Sequence, residues 1–460
     1  MDIKDLKGVL NSLVSDMEKK VPYACALAME TLGERVIVMT RESRVEPQDP
    51  SRGVVLTVFT GSRFLEYSTS DLSEESLVHA AGELVRMAGF TTAGGVEIDP
   101  GPAIDRDFIV EENMPNDSVP LADKIARCAE YRDRLQAMDG RIVNAVAMYS
   151  FTRNRELYVN RNKTMFQDLK RGQAVIQAVM REGDENAQLH EGDSRQGGYE
   201  NSVVTDEMFD GLVRDCGRML GAPRLSPGYY DCIFSPEFAG ITAHEAFGHG
   251  TESDMFLKDR ARGRDYIGKQ VASEIVNMYD SPAESGEAGS FFFDHEGQTA
   301  TRTQIIRDGI LTSPITDLNS ATRLGIARTA NGRRESFERK AYARMTNTFF
   351  GPGTHTLEEM LADITHGYYV TRPSNGMEDP KGWGIQLEGY LAEEIRNGRL
   401  TGKFHTPVIV TGYVPDVLKS ISMVGNDFRI AGLGYCGKGH KEWVKVTDGG
   451  PHLRLKARLG

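Results

Sequence analysis

The segment from Gly228 to Glu237 most constrains the local fold, because it predicts the structure that leads into the histidine-containing region at 244–249. Residues Gly228 to Phe234 are rich in aromatic and β-branched side chains, which predicts a strand. Ser235, Pro236 and Glu237 then match an N-cap, a first helical residue and an acidic first turn. The sequence therefore predicts a strand that leads directly into a helix.

Two histidines, His244 and His249, lie five residues apart in that helix. Residues at this spacing lie about 140° apart around a regular α-helix, so the two imidazoles would diverge. They converge only if the helix takes up one extra residue, as a π-bulge does. Gly248 is a position where such a distortion costs little. We therefore expect a bulge between the two histidines.

Glu245 directly follows the first histidine. Two imidazoles that bind a metal and a neighbouring carboxylate that acts on the bound water are typical of zinc peptidases. Here the histidine spacing is one residue longer than in the common motif. The hexapeptide alone leaves a metal site and an ordinary helix equally open, so the third ligand decides between them.

Four residues are candidates for that third ligand. Glu252 and Asp254 are close in sequence, and His295 lies further on. Cys436 lies in the segment from Gly432 to Gly439, where glycine fills four of eight positions and where Lys438 could favour the thiolate. Spacing alone favours a flexible turn with a small buried cysteine there.

The whole pattern resembles the TldD/PmbA family of metallopeptidases, and in particular its TldD branch. The matching segments are His-Glu-x-x-x-His at 244–249, Gly-x-Cys-Gly-Lys at 434–438, Arg-Met-Thr-Asn-Thr at 344–348 and Ser-x-Val-Gly-Asn-Asp at 422–427. The resemblance is dense from about Pro227 to Lys438. After Lys438 the chain departs from the Gly/Gln-rich tail common in the family, which leaves the far end of the substrate site open.

The resemblance implies specific roles. His244, His249 and Cys436 would bind zinc, and Glu245 would be the catalytic base. It also implies a dimer that encloses the active site, formed with a second copy or with a paralogue that lacks the motif. Arg344 and Asn347 are candidates for binding the peptide substrate, although a polar pair that holds a loop explains them equally well.

Composition restricts the possible partners and location. A net charge of −12 disfavours nucleic-acid binding, which needs a basic surface. The odd, sparse set of five cysteines argues against a disulfide framework and favours the reducing cytoplasm. We find no apolar run of about 18 residues, so we expect no membrane span.

The pattern of strands and helices predicts an α+β protein of three domains. Residues 1–110 and 111–222 form two sheet-plus-helix units, with a proline-containing linker predicted at 100–120. Residues 223–460 form a mostly β catalytic domain, barrel-like or built on a bent sheet, which carries the metal-binding helix. 

The function predicted is a zinc-dependent peptidase acting on short or unfolded peptides. One alternative makes Cys436 a nucleophile with His440 nearby, but it leaves the His-Glu pair unexplained. Another makes the chain a non-catalytic subunit or modulator, since the family was once described as modulating DNA gyrase.

Overall fold

The computed structural model describes residues 2–90, 95–438 and 442–460. The first half contains one large sheet covered by helices. Its elements, in chain order, are α1 (Lys7–Glu18), β1 (Tyr23–Met39), β2 (Ser43–Phe59), β3 (Phe64–Thr69), α2 (Glu74–Ala88), β4 (Ile104–Ile109), α3 (Leu121–Met138), β5 (Ile142–Asn160), β6 (Lys163–Glu182), β7 (Glu185–Gln196) and α4 (Asp206–Met219).

The strands of both predicted N-terminal units belong to this one seven-stranded sheet. Its order is β3-β2-β1-β5-β6-β4, and β7 also pairs with β6. The long strands β1 and β5 are antiparallel neighbours, with register pairs from Cys25–Asn160 to Met39–Val146. β4, which lies in the expected linker, pairs parallel to β6.

The two units keep separate helix pairs and separate cores along these shared strands. The first part of β1, with Ala24 and Ala26, packs under α1 and α2. The last part, with Val36 and Val38, packs under α3 and α4. The boundaries at residues 110 and 222 stay predictions.

The second half contains many short strands and a few helices. They are β8 (Gly228–Phe234), α5 (Pro236–Ala243), α6 (Ser253–Leu257), β9 (Met278–Asp280), β10 (Thr303–Arg307), β11 (Ile310–Leu311), α7 (Leu318–Leu324), β12 (Gly332–Arg333), β13 (Tyr342–Ala343), β14 (Asn347–Phe350), α8 (Leu357–Ala362), β15 (His366–Glu378), β16 (Gly384–Arg396), β17 (Arg399–His405), β18 (Val408–Tyr413), α9 (Val414–Lys419), β19 (Met423–Val424), β20 (Arg429–Ala431), β21 (Tyr435–Lys438), β22 (Glu442–Lys445), β23 (Thr447–Gly450) and β24 (Leu453–Leu459).

Five of these strands close into a barrel, in the order β15-β8-β24-β18-β16, with β16 pairing back to β15. A second sheet has the order β11-β10-β9-β14-β23-β20. α5 packs against β15 of the barrel and against β14 and β23 of the second sheet. The predicted α+β class and the barrel-like C-terminal domain are thus confirmed, and the histidine-bearing helix lies between two sheets.

The opposite face of the N-terminal sheet packs against this domain. Cys25 and Leu27 of β1 alternate with the helix-facing alanines and contact a cluster that includes Phe293, Leu318 and Phe337. The two halves of the molecule therefore share an apolar interface.

Candidate metal centre

The histidine-bearing helix contains the predicted bulge. Ser235 caps α5 by accepting a hydrogen bond from the backbone N–H of Phe238, and Pro236 occupies the first turn. From His244 to Gly248 the helix is a π-helix, and the backbone N–H of His249 donates to the carbonyl of His244. The two imidazole centroids are consequently only 5.1 Å apart. The expected convergence is confirmed.

Gly248 has a different role from the one its sequence position suggests. Its backbone angles, φ −65° and ψ −70°, are open to any residue. A Cβ at this position, however, would overlap the sulfur atom of Met345. The glycine is needed because another segment packs closely against the π-helix.

The structure brings His244, His249 and Cys436 together. Their potential ligand atoms all lie within 4.8 Å of one another. The Sγ of Cys436 lies 3.7 Å from Nε2 of His249. A tetrahedral zinc ion with ordinary Zn–S and Zn–N bonds would separate such atoms by about 3.6 Å. The donor set and its spacing therefore fit zinc. We call these three residues the metal cluster.

Two carboxylates orient the imidazoles of the metal cluster. Nδ1 of His244 lies 2.8 Å from Oδ1 of Asp448, and Nδ1 of His249 lies 3.1 Å from Oε2 of Glu252. A carboxylate on one ring nitrogen leaves the other nitrogen free to bind metal, as in many zinc sites. Sequence reasoning missed Asp448, because nothing local marks a residue so far along the chain from His244.

The imidazoles also favour the thiolate form of Cys436. Burial alone would raise the pKa of this thiol, but the nearby charges of His249 and His244 hold the pKa well below its usual range. The pKa of each histidine is raised in turn: burial lowers it, and Cys436 with the partner carboxylate outweighs that effect. A metal that displaces the imidazole protons would meet a deprotonated sulfur ligand.

The other candidates for the third ligand have other contacts. Glu252 supports His249, as described above. Asp254 accepts a hydrogen bond from Nζ of Lys438 at 2.6 Å. His295 lies with Nε2 3.2 Å from Glu156, and its Nδ1 accepts the backbone N–H of Arg334. Lys438 itself pairs with Glu252 and Asp254, so it lies on carboxylates, not on the thiol it was expected to influence.

Glu245, the predicted base, is buried on the π-helix, with only 9% of its surface exposed. A Cβ at Gly376 of β15 would overlap its side chain, so this strand confines the carboxylate. Burial raises the pKa of Glu245, and Cys436 and Asp448 add to the rise, while the two histidines oppose it. A raised pKa suits a group that must take up and release a proton.

Glu378, at the end of β15, is a second carboxylate that sequence reasoning missed. Both of its oxygens are buried without a hydrogen-bond partner among the residues that the structure describes. A Cβ at Gly250 would lie 2.9 Å from its Oε1. Burial raises the pKa of Glu378 well above its usual value, and Glu245 and Glu252 add to this, while His249 opposes it. Its only sequence signal is an unremarkable acidic position in a strand.

The C-terminal half, residues 227–458, matches the family model of the PmbA/TldA metallopeptidase C-terminal domain. The chain belongs to the TldD/PmbA metallopeptidase family. This membership places it among the metalloproteases, and it confirms the resemblance noted in the sequence.

Related chains carry consistent names. A protein of Methanothermobacter thermautotrophicus named a metalloprotease is 28% identical over 97% of both chains. A protein of Saccharolobus solfataricus named a zinc metalloprotease TldD homolog is 30% identical over 68% of this chain and 70% of the relative.

Solved structures share the fold over nearly the whole chain. TldE from Thermococcus kodakarensis superposes with a TM-score of 0.78 and 15% identity, covering 98% of this chain and 100% of its own. A Thermotoga maritima protein, solved as a candidate modulator of a DNA gyrase, superposes with a TM-score of 0.80 and 15% identity over 100% of both chains. At these identities the likeness concerns the fold alone.

Two residues of the family's Arg-Met-Thr-Asn-Thr block, Arg344 and Asn347, are buried. The Arg344 guanidinium donates to the carbonyl of Cys436 at 2.6 Å and to that of Glu442 at 3.2 Å. Asn347 donates to Ser290 Oγ at 2.8 Å. It also accepts the hydroxyl of Thr447, the residue before Asp448. These contacts hold the backbone at Cys436 of the metal cluster and at Thr447, which precedes Asp448. Substrate binding by Arg344 and Asn347 stays a prediction.

Two further expectations from the sequence concern His440 and membrane-spanning helices. His440, the partner imagined for a nucleophilic Cys436, lies outside the described residues. Among the helices of the described chain, we find none long and apolar enough to cross a membrane.

Proposed function

We propose that this chain is a zinc-dependent peptidase that hydrolyses short or unfolded peptides, with Glu245 as the general base. The observation that carries the proposal is the π-helix, which turns His244 and His249 toward Cys436. Glu245 directly follows His244 in the sequence and lies on the same π-helix. The naming of a relative as a zinc metalloprotease supports the choice of metal.

The proposed mechanism divides the work between the metal cluster and Glu245. The chemistry that zinc supplies in such a site is polarisation of the scissile carbonyl and a lowered pKa of the attacking water. Glu245 takes the proton of that water and returns it to the leaving amine. Asp448 and Glu252 keep the imidazoles of His244 and His249 oriented. Because the Cys436 thiolate donates more charge than a third imidazole would, we expect modest turnover.

Replacing Glu245 with Gln tests the mechanism directly. The change keeps the shape of the side chain and removes the base, so peptide hydrolysis should fall by about 10²- to 10⁴-fold. Zinc content, measured by mass spectrometry of the purified protein, should not change. Glu237→Gln on the exposed first turn of the same helix is the matched control. Retained hydrolysis, or loss of zinc, would contradict the assignment.

A strong chelator separates this mechanism from a thiol peptidase that uses Cys436 as a nucleophile. The zinc enzyme should lose activity with the chelator and regain it with added zinc. Activity that survives complete removal of the metal would favour the thiol mechanism.

We further propose a dimer, either of two copies or with a paralogue that lacks the motif, in the cytoplasm. The five cysteines are unpaired and buried, which suits a reducing compartment. Light scattering of the purified chain, alone and with such a paralogue, tests the assembly.

A further inference from the structure

A cavity of about 300 Å³ lies between the N-terminal sheet and the C-terminal domain. Thr31 of β1, Thr152 of β5 and Gln173 of β6 line one wall. Tyr435 of β21 and Trp443 of β22 line the other wall. The cavity therefore uses the sheet face opposite the helices, together with the hairpin that carries Cys436.

Four arginine and lysine side chains line the cavity, and the hydrogen bonds of three of them go to neutral oxygens. Arg171 donates to the carbonyls of Ala288 and Ser290 and to the side chain of Asn154. Arg333 donates to the carbonyls of Met345 and Lys445.

The third cation is the Lys445 side chain. Its Nζ lies 3.4 Å from Oε1 of Gln173 and 3.3 Å from the carbonyl of Gly432. We call the space lined by Arg171, Arg333 and Lys445 the cationic cavity.

The carboxylates on the wall of the cationic cavity have other partners. Glu156 accepts the side-chain amide of Gln167 at 2.6 Å and lies 3.2 Å from His295, and it acts on Arg171 only through its longer-range charge. Asp294 accepts backbone N–H groups, among them that of Gly332.

A third wall carboxylate, Glu335, accepts the backbone N–H of Trp443. Arg334, which also lines the wall, pairs with Glu66. Arg171, Arg333 and Lys445 therefore have no carboxylate as a hydrogen-bond partner among the described residues, and Asp193, Asp280 and Asp448 act on Lys445 and Arg333 only through longer-range charge.

Burial is the main cause of the lowered pKa values of the three cations. Burial lowers the pKa of Arg171. Burial, with help from Arg344 and Arg171, lowers the pKa of Arg333 to about 9. Burial and Arg171 lower the pKa of Lys445 to about 7. Placing uncompensated charge in a poorly solvated space is costly, and an anion in the space offsets that cost.

We propose that the cationic cavity binds a carboxylate of the peptide substrate, either its C-terminus or an acidic side chain. This inference rests on the proposed peptidase function. Tyr435, on the cavity wall, and Cys436, in the metal cluster, are consecutive residues of β21, with Cα atoms about 3.8 Å apart. Because consecutive side chains of a strand point to opposite faces, the cavity and the metal cluster lie on the two sides of this hairpin. A peptide bound at the metal cluster therefore places its carboxylate in the cavity by passing around the edge of the hairpin. The aromatic rings of Tyr435 and Trp443 add apolar surface for the rest of that residue.

Binding is best measured on the zinc-loaded Glu245→Gln protein, which should hold peptides without cleaving them. Three short alanine-based peptides serve as probes: one with a glutamate and a free C-terminus, its glutamine counterpart, and its C-terminally amidated counterpart. Isothermal titration should show that removing the recognised carboxylate weakens binding about tenfold or more, because a buried charge-assisted hydrogen bond is lost. The peptide that loses affinity identifies which carboxylate is bound.

A protein variant gives the reciprocal test. Lys445→Met should remove most of the preference for the carboxylate and keep the affinity for the neutral peptides. Lys403→Met, which makes the same change at an exposed lysine of the same domain, should keep the preference.

The outcomes separate the two proposals. Equal affinity for all three peptides, or a preference that survives Lys445→Met, overturns the cavity assignment even if the wild-type protein hydrolyses each peptide. A carboxylate preference that Lys445→Met abolishes upholds the cavity assignment even if the wild-type protein cleaves nothing, in which case the peptidase proposal fails.

Discussion

The hairpin of β21 and β22 separates two buried polar regions that differ in how their charged groups are paired. On the metal-cluster side, each imidazole has a carboxylate partner, and Lys438 balances Glu252 and Asp254. On the other side, the charges of the cationic cavity are satisfied mainly by neutral oxygens. The first region is built mainly from fixed pairs, with Glu378 as an unpartnered carboxylate among the described residues, and in the second region the cations have no carboxylate partner in the described part of the chain.

This difference indicates how each region responds to change. Removing one member of a paired network leaves its buried partner uncompensated, which is expensive. Removing one of several like charges relieves repulsion and desolvation. Substitutions on the metal-cluster side should therefore cost function or stability, while neutralising the cationic cavity should stabilise the fold.

The largest effect should follow Cys436→Ala, which removes one ligand of the metal cluster. Zinc content, measured by mass spectrometry after dialysis, should fall sharply, and hydrolysis should fall with it. Cys128→Ala, at a buried cysteine of the N-terminal half, should keep full zinc content. Unchanged zinc in Cys436→Ala would move the third-ligand assignment to Glu252 or Asp254.

A smaller effect should follow Asp448→Asn, which weakens the hold on His244 but leaves all three ligands. Outer partners of this kind are worth about 10- to 100-fold in metal affinity. Competition with a fluorescent zinc chelator measures the change, and Asp416→Asn, on an exposed position of α9, is the control. Affinity equal to that of the wild type would show that the carboxylate is not needed to orient the ring.

Gly248→Ala should cost about 1 to 3 kcal/mol of unfolding free energy, since the added methyl group overlaps Met345 and the site is already packed. Urea unfolding of the zinc-loaded protein measures the loss. The double variant with Met345→Ala should be less destabilised than the two single changes added together. Strict additivity would mean that the overlap is not the cause.

The smallest effect, and one of opposite sign, should follow Lys445→Met. Its folded-state pKa of about 7 lies below the ordinary lysine value, so the folded protein releases this proton before the unfolded chain does. Wild-type stability should therefore rise between about pH 7 and pH 10, as the cost of the buried charge disappears.

The variant should flatten that rise and gain about 1 kcal/mol at neutral pH. Denaturation curves at several pH values check the prediction. If Lys445→Met is less stable than the wild type at pH 7, the buried charge of Lys445 is not destabilising, and the proposed difference between the two sides of the hairpin is wrong.

Local features of the site were predictable from sequence because they depend on neighbouring residues. Ser235 and Pro236 mark the start of α5, and the spacing of His244 and His249 requires the π-helix. Cys436 followed from resemblance, since spacing alone favoured an ordinary turn.

Other features depend on contacts between distant segments. Asp448 reaches His244 only because β23 pairs with β14 alongside α5. Glu378 comes within the electrostatic influence of His249 only because β15 belongs to the barrel. The sequence of β4 is polar and flanked by prolines, so it predicts a linker. In the structure it is a strand that pairs with β6. The sharing of β1 and β5 by both N-terminal units has no sequence signature, since each half of each strand alternates normally.

The closure of the barrel has a consequence for how the protein is made. β8 pairs with β24 along its whole length, so this seam stays open until the second strand leaves the ribosome. Translation needs about 10 to 45 s to cover the distance between them. During that interval the nascent domain has an unpaired strand edge, and Cys436 is also missing for nearly all of it. The three residues of the metal cluster can therefore come together only after nearly the whole domain has been synthesised.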